Sequence, residues 1–306
     1  MGTRDILRLL SLAAVVASSA CRPAPTVNFV DAEYPWPVER AEVGGTSLAY
    51  ADLGQGEHTL VLIHGLGSYM PAWKNNASAL ARQHRVIVVD LPGFGKSDKP
   101  DASYTMDFFA GKVLALMDEL GVQRPVLVGH SMGGQIAMRY ALSYPERHAG
   151  LVLTSPAGLE TFEDPEAKWL ANAVTPAFTC GADDEAIFVR HAGNFHRMPE
   201  DAKFMVDDRV AVKGDPDFED YCVAVSRSVA GMLDQPVFDE LPQIDAPVLV
   251  LFGKSDNLIP NPFLHGGSTV TLAEKATEQF ADAELVILPR AGHMAQFEAA
   301  EAWNDA

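Results

Sequence analysis

Pro125-Val126-Leu127-Val128-Gly129-His130-Ser131-Met132-Gly133-Gly134-Gln135-Ile136-Ala137-Met138-Arg139-Tyr140-Ala141 turns from an apolar β-type run into a helical one within five residues. The turn is Gly-His-Ser-Met-Gly, a G-x-S-x-G pattern between a strand and a helix. A serine on such a turn sits in a strained backbone position with its hydroxyl above the sheet edge. Gly129 and Gly133 leave room where strand and helix pass closely, and Gly134 adds to it. The hydroxyl also lies near a helix N-terminus, where free amides favour negative charge. Ser131 is the candidate nucleophile.

Outward from this stretch, strand and helix patterns alternate. Ser47-Leu48-Ala49-Tyr50-Ala51 reads as an early strand. Thr59–Ile63, Arg85–Val89 and Gly150–Thr154 are short continuous apolar runs, as expected of parallel strands covered on both faces. Pro71 to Gln83 and Tyr104 to Leu120 read as helices. The alternation implies an α/β fold with a mostly parallel, helix-flanked sheet, its active residues at the carboxyl ends of the strands. The pattern breaks after Pro156. From about Gly158 to Asp239 there is no buried-strand run, but helical pieces carrying Trp169, Phe178, Phe188, Met205 and Met232. The sheet then resumes with Val248–Gly253 and Ala283–Leu288. The reading is a core of residues 40–157 and 240–306, with a helical cap of residues 158–239 that offers an adaptable apolar pocket.

A serine hydroxyl needs a base, and the base needs an orienting acid. His293 follows the last strand in Leu288-Pro289-Arg290-Ala291-Gly292-His293, and Asp256 follows the strand before it in Gly253-Lys254-Ser255-Asp256. Both are loop residues at carboxyl ends. The order Ser131, Asp256, His293 matches a known order for such triads.

The 306 residues are 48% hydrophobic and 21% charged, ample for a large core, and the net charge of −18 argues against nucleic acid as a partner. Arg4 and Arg8, the apolar run Leu9–Ala17 and the small residues Ser18-Ser19-Ala20 form a secretory signal over residues 1–20, too short for an ordinary membrane span. Residues 21–39 read as a tether. Cys180 and Cys222 are expected as two separate buried thiols, although the compartment permits a bridge.

Four landmarks carry a resemblance: His64-Gly65-Leu66-Gly67, Asp90-Leu91-Pro92-Gly93-Phe94-Gly95-Lys96-Ser97, Gly129 to Gly134, and Gly292-His293. Over residues 40–303 the chain resembles the α/β-hydrolase fold family, in its capped serine esterase and lipase branch. The resemblance implies an eight-stranded sheet and an oxyanion hole made by the backbone N–H groups of Leu66 and Met132. It implies structural roles for His64, His130 and the Asp90 segment. It further implies an acyl-enzyme route to hydrolysis of a small-molecule ester with an apolar acyl group, needing no metal or cofactor. Position 131 is Ser, which sets aside the branches that use Asp. His293-Met294-Ala295-Gln296-Phe297-Glu298 is similar to C–C bond hydrolases of ring-fission diketones, which usually have Asn where His130 stands. That chemistry, acyl transfer and a catalytically silent binding protein are the alternatives. Ser19-Ala20-Cys21 resembles the lipobox of bacterial lipoproteins, which implies an extracytoplasmic protein anchored to a membrane by lipid on Cys21. Ser18 and Ala20 also fit a soluble secreted or periplasmic protein.

Overall fold

A computed structural model describes residues 26–306; the signal segment and Cys21 lie outside the described residues. Eight strands form one sheet in the order β1-β2-β4-β3-β5-β6-β7-β8. They are β1 (Glu39–Glu42), β2 (Ser47–Leu53), β3 (Thr59–Ile63), β4 (Arg85–Val89), β5 (Val126–His130), β6 (Gly150–Thr154), β7 (Val248–Gly253) and β8 (Ala283–Leu288). β1–β2 and β2–β4 are antiparallel and all other pairs parallel. The sheet is thus the mostly parallel, eight-stranded one expected. Successive residues of the central strands face opposite sides. Val61, Ile63, Ile87, Val89 and Leu127 enter one apolar core. Leu60, Leu62, Val86, Val88 and Val128 enter a second.

Helix α1 (Ala77–Leu80) precedes β4, α2 (Met106–Glu119) precedes β5, and α3 (Met132–Ser143) follows it. Between β6 and β7 come α4 (Asp164–Ala173), α5 (Pro176–Cys180), α6 (Asp184–Ala192), α7 (Phe204–Ala211) and α8 (Phe218–Asp234), with no strand among them. Helix α9 (Thr269–Thr277) lies before β8, and α10 (Ala295–Glu298) and α11 (Ala300–Asp305) follow it. Register brings the strand ends level. Ile63 pairs with Gly129, His130 with Thr154, and Thr154 with Leu251. The loops after β3, β5, β6 and β7 therefore open on one edge.

Four features differ from the sequence reading. Strand β1 was missed because it is an edge strand with one buried residue in four, too polar to stand out; it turns into β2 through Gly44 and Gly45, both at positive φ. Residues 71–83 do not form one helix. A 3-10 turn at Met70–Trp73 and the single turn of α1 replace it, because the Asn76 side chain donates to Gln296 O and Asn304 Oδ1 and draws the backbone there. Residues 26–39, expected to tether, lie against the body: Phe29 and Trp36 are buried, and the Val27 amide donates to Ala211 O. Cys180 and Cys222, expected as separate thiols, form a disulfide with Cα atoms 5.8 Å apart. The correction comes from α5 packing along α8, a juxtaposition that two cysteines 42 residues apart do not encode locally.

Candidate active site

Ser131 stands between β5 and α3 at φ +53°, ψ −120°, a region that non-glycine residues occupy only under strain. The backbone around it is pinned on both sides. Its amide donates to Thr154 O (3.0 Å), and its carbonyl accepts from Gly134 N (2.9 Å) and Ala157 N (3.0 Å). The closeness explains Gly133, where a Cβ would lie 2.3 Å from Ile63 O. The amides of Met132 and Gly133 open α3 with no intrahelical acceptor. Across the edge, the loop after β3 is set by His64. Its Nδ1 donates to Gly65 O (2.8 Å) and its Nε2 accepts from Leu91 N (3.1 Å). Burial pushes this imidazole down to about 4, so it is neutral and holds the loop rather than exchanging protons at neutral pH. Among the described residues the Leu66 amide has no acceptor. A Cβ on Gly65 would fall 3.0 Å from both Ser131 Cβ and His130 Nδ1, so this loop lies directly on the serine turn.

The structure brings His293 and Asp256 together. His293 Nδ1 donates to Asp256 Oδ2 at 2.9 Å, both side chains being buried. That bond leaves Nε2 as the nitrogen able to accept a proton. Asp256 Oδ1 accepts from the amides of Leu258 (2.9 Å) and Ile259 (3.2 Å). Burial alone would push this carboxyl up. The His293 imidazole and the two amides outweigh it and hold the group below its ordinary range, as a carboxylate. His130, beside the serine, donates from Nε2 to His293 O (3.0 Å), and the two rings lie 4.9 Å apart. His130 is pushed down to about 3, first by burial and then by His293, so it is a neutral strut between the two loops. The Asp90 carboxylate accepts from Met70 N (2.6 Å), Tyr34 OH (2.7 Å) and Lys96 N (2.8 Å), a structural knot away from the serine.

Two further residues shape the site and were not singled out from the sequence. Glu298 accepts from the amides of Gly292 (2.8 Å), His196 (2.9 Å) and Arg197 (2.7 Å), tying the His293 loop to the inserted segment. In the sequence Glu298 is one residue of the His293–Glu298 motif, and partners 101 and 102 residues away give no local signal. Half-buried Arg209, on α7, donates to Gly67 O and the Tyr221 hydroxyl and lies 4.3 Å over the Tyr221 ring. Burial lowers this guanidinium to about 10, still a cation at neutral pH. Among the described residues no cluster of three or more His, Cys, Asp or Glu side chains has metal-site geometry.

Chemically, the arrangement offers a strained serine over a helix N-terminus, an imidazole with one nitrogen fixed by a carboxylate, and amides without acceptors on two adjoining loops. Comparison with known proteins gives the family. Residues 58–300 match the family described as alpha/beta hydrolase fold. The chain is 33% identical over 268 residues to a dihydrolipoyllysine-residue acetyltransferase component of an acetoin cleaving system from Pseudomonas putida, covering 87% of this chain and 67% of that protein. It is 32% identical over 274 residues to a 2-hydroxy-6-oxononadienedioate/2-hydroxy-6-oxononatrienedioate hydrolase from Paraburkholderia phymatum, covering 85% and 90%. Among solved structures it is similar to a probable hydrolytic enzyme from Pseudomonas aeruginosa (TM-score 0.81, 27% identity, 92% of this chain and 97% of that one). It is also similar to a thermophilic esterase from Thermogutta terrifontis (TM-score 0.72, 26% identity, 88% and 96%).

Proposed function

Because the chain belongs to the alpha/beta hydrolase fold family, we propose that it is a serine hydrolase that cleaves carboxylic esters through an acyl-enzyme. The observation that carries the reading is the buried His293–Asp256 hydrogen bond, whose His293 carbonyl is held by the residue next to Ser131. Ser131 Oγ attacks the ester carbonyl carbon as His293 Nε2 takes its proton. The amides of Leu66 and Met132 hold the oxyanion. Collapse expels the alcohol, which receives the proton from His293. Water, deprotonated by the same nitrogen, then attacks the acyl-enzyme, and the acid leaves. Asp256 keeps the imidazole in the tautomer with hydrogen on Nδ1 and supports its positive charge. The esterase likeness at 26% identity supports ester chemistry.

The test is a panel of p-nitrophenyl esters of graded chain length with wild type and Ser131→Ala. Ser131→Ala is expected to fold and to lose turnover and labelling by a fluorophosphonate. Retained turnover would overturn the assignment. A second reading, C–C bond hydrolysis of a vinylogous diketone, is favoured by the 32% identical relative of that activity. Turnover of such a diketone well above that of every ester in the panel would select it.

For location, the proposal is an extracytoplasmic lipoprotein acylated at Cys21. The Cys180–Cys222 disulfide supports an oxidising compartment. Radiolabelled palmitate should enter the wild-type chain and not Cys21→Ser; equal labelling of both would sink this assignment.

A further inference from the structure

Seven large apolar side chains are exposed among the described residues, and none lies on the helices that cover the sheet. Trp169, Phe178, Phe188 and Val189 sit on α4, α5 and α6. Leu258 and Phe263 sit on the loop after β7, and Val30 on the N-terminal segment. The inserted helices and the loop after β7 belong to the end of the molecule where the strands finish and Ser131 stands. Scattered exposed apolar residues need no explanation, but a one-sided set does.

The sequence shows the same bias. Trp169 to Ala182 is a run of 14 residues without one charged side chain, in a chain whose residues are 21% charged. The run makes the end of α4 and all of α5, and neither helix has a buried residue. These helices therefore do not earn their place by filling the core. The disulfide nevertheless fixes α5 to α8, so the face is held out rather than frayed. Arg190 lies 4.0 Å over the Phe178 ring, an aromatic body with a cation beside it, as side chains at a water–lipid boundary arrange themselves.

The path of the chain says what covers this face. The Phe29 amide donates to Asp215 Oδ2 (2.6 Å), and its ring lies 5.7 Å from that of Tyr221. Cys180 Sγ lies against Phe218 O (3.9 Å). The N-terminal segment and α5 thus meet the same stretch, Asp215–Cys222. Thr26, packed against Gly214, is five residues from Cys21, at most about 18 Å of extended chain. An acyl anchor on Cys21 would hold this face toward the bilayer. The chain's charge of −18 makes an anionic surface repulsive and a zwitterionic one acceptable.

We propose that the face carrying exposed Trp169, Phe178 and Phe188 on α4, α5 and α6 docks on the surface of a zwitterionic lipid bilayer, presenting the Ser131 edge to it. The orientation argument rests on the lipoprotein reading of Cys21; the docking does not depend on whether Ser131 is a nucleophile. The test uses the full chain carrying Cys21→Ser, so that no acyl anchor contributes, with non-hydrolysable diether phosphatidylcholine vesicles. Trp169 is the exposed one of four tryptophans; Trp36, Trp73 and Trp303 are buried. Vesicles are expected to shift tryptophan emission to the blue and brominated acyl chains to quench it, and Trp169→Phe should remove both effects. Phe178→Asp combined with Phe188→Asp, both at exposed positions, should lower vesicle partition at least tenfold while the circular dichroism spectrum and Tm stay at the parent level. Adding anionic lipid should weaken partition. Absence of both partition and Trp169 response in the parent chain would overturn the proposal, a result that needs no folded variant. So would a dimer in solution that the same two substitutions dissociate, since a second copy would then own the face. Loss of ester turnover in Ser131→Ala with unchanged partition keeps the two readings separate.

Discussion

Arg209, on the inserted helix α7, donates a hydrogen bond to the carbonyl of Gly67, the residue after the proposed oxyanion donor Leu66. A half-buried cation thus grips the loop whose amide must be aimed at the oxyanion. Gly67 is at φ +64°, and a Cβ there would lie 3.0 Å from the Tyr221 hydroxyl, so this loop and the inserted helices fit closely.

The first prediction follows from that grip. Arg209→Met keeps most of the volume but removes both donors, so the Leu66 amide loses its aim while the serine, imidazole and carboxylate stay. Full loss of an oxyanion donor is worth about 3 kcal/mol, and misalignment a part of it. The expected result is a kcat lower by about tenfold or more with a smaller change in KM. Affinity for a boronic acid that mimics the tetrahedral species should fall in parallel. An unchanged kcat would show that the loop holds its own shape.

The second prediction concerns pH. Burial pushes the Asp90 carboxyl from 3.8 up to about 6, against the pull of its three donors. The folded value lies above the unfolded one, so between about pH 4 and pH 6 the folded chain binds more protons, and stability falls as pH rises through that window. By that difference the cost above pH 6 is on the order of 3 kcal/mol. Asp90→Asn lacks the proton equilibrium. The difference in Tm, wild type minus Asp90→Asn, should be most favourable to wild type near pH 4 and decline toward pH 7. Asp256 acts with the opposite sign. Its depressed native value contributes stability that is present above the unfolded value and lost as pH falls through the native one, but it is common to both proteins and cancels. A flat difference would count against a raised Asp90.

The third prediction tests the disulfide. A bridge between residues 42 apart closes a long loop in the unfolded chain. Chain-entropy reasoning gives about 4 kcal/mol for such a loop, with smaller values common in practice. Cys180→Ala with Cys222→Ala should lower Tm by several degrees. Reductant should lower the wild-type Tm similarly and leave the double variant unmoved. Sensitivity of the double variant to reductant would mean that the effect lies elsewhere.

The site was legible in the sequence to the extent that its chemistry is local. Ser131 announces itself through the glycines its turn requires, and His293 and Asp256 through their places just after apolar runs that end at one sheet edge. The inserted helices showed as a break in strand periodicity. What stayed hidden was set by contacts between distant residues. Strand β1 is too exposed to show an apolar pattern and exists because β2 offers it an edge. The Cys180–Cys222 bridge depends on how α5 meets α8. Arg209 reads as one more charge on a helix, because its bond to Gly67, 142 residues away, arises only when the inserted helices close over the loop.

The last prediction separates stability from chemistry at Ser131. Its φ of +53° with ψ of −120° suits glycine and strains any residue with a Cβ. The strain is held by four backbone bonds, from Ser131 N to Thr154 O and to Ser131 O from Gly134 N, Gln135 N and Ala157 N. None of these needs the side chain. Ser131→Gly should therefore keep the turn and release strain of about 1–3 kcal/mol, partly offset by the larger entropy of glycine in the unfolded chain. A net gain on the order of 1 kcal/mol and a Tm a few degrees higher are expected, together with complete loss of ester turnover. Ser131→Ala keeps the Cβ and the strain, so it should lose activity without that gain. If Ser131→Gly melts below Ser131→Ala, the turn is not strained by its side chain, and the serine is there at no cost to the fold.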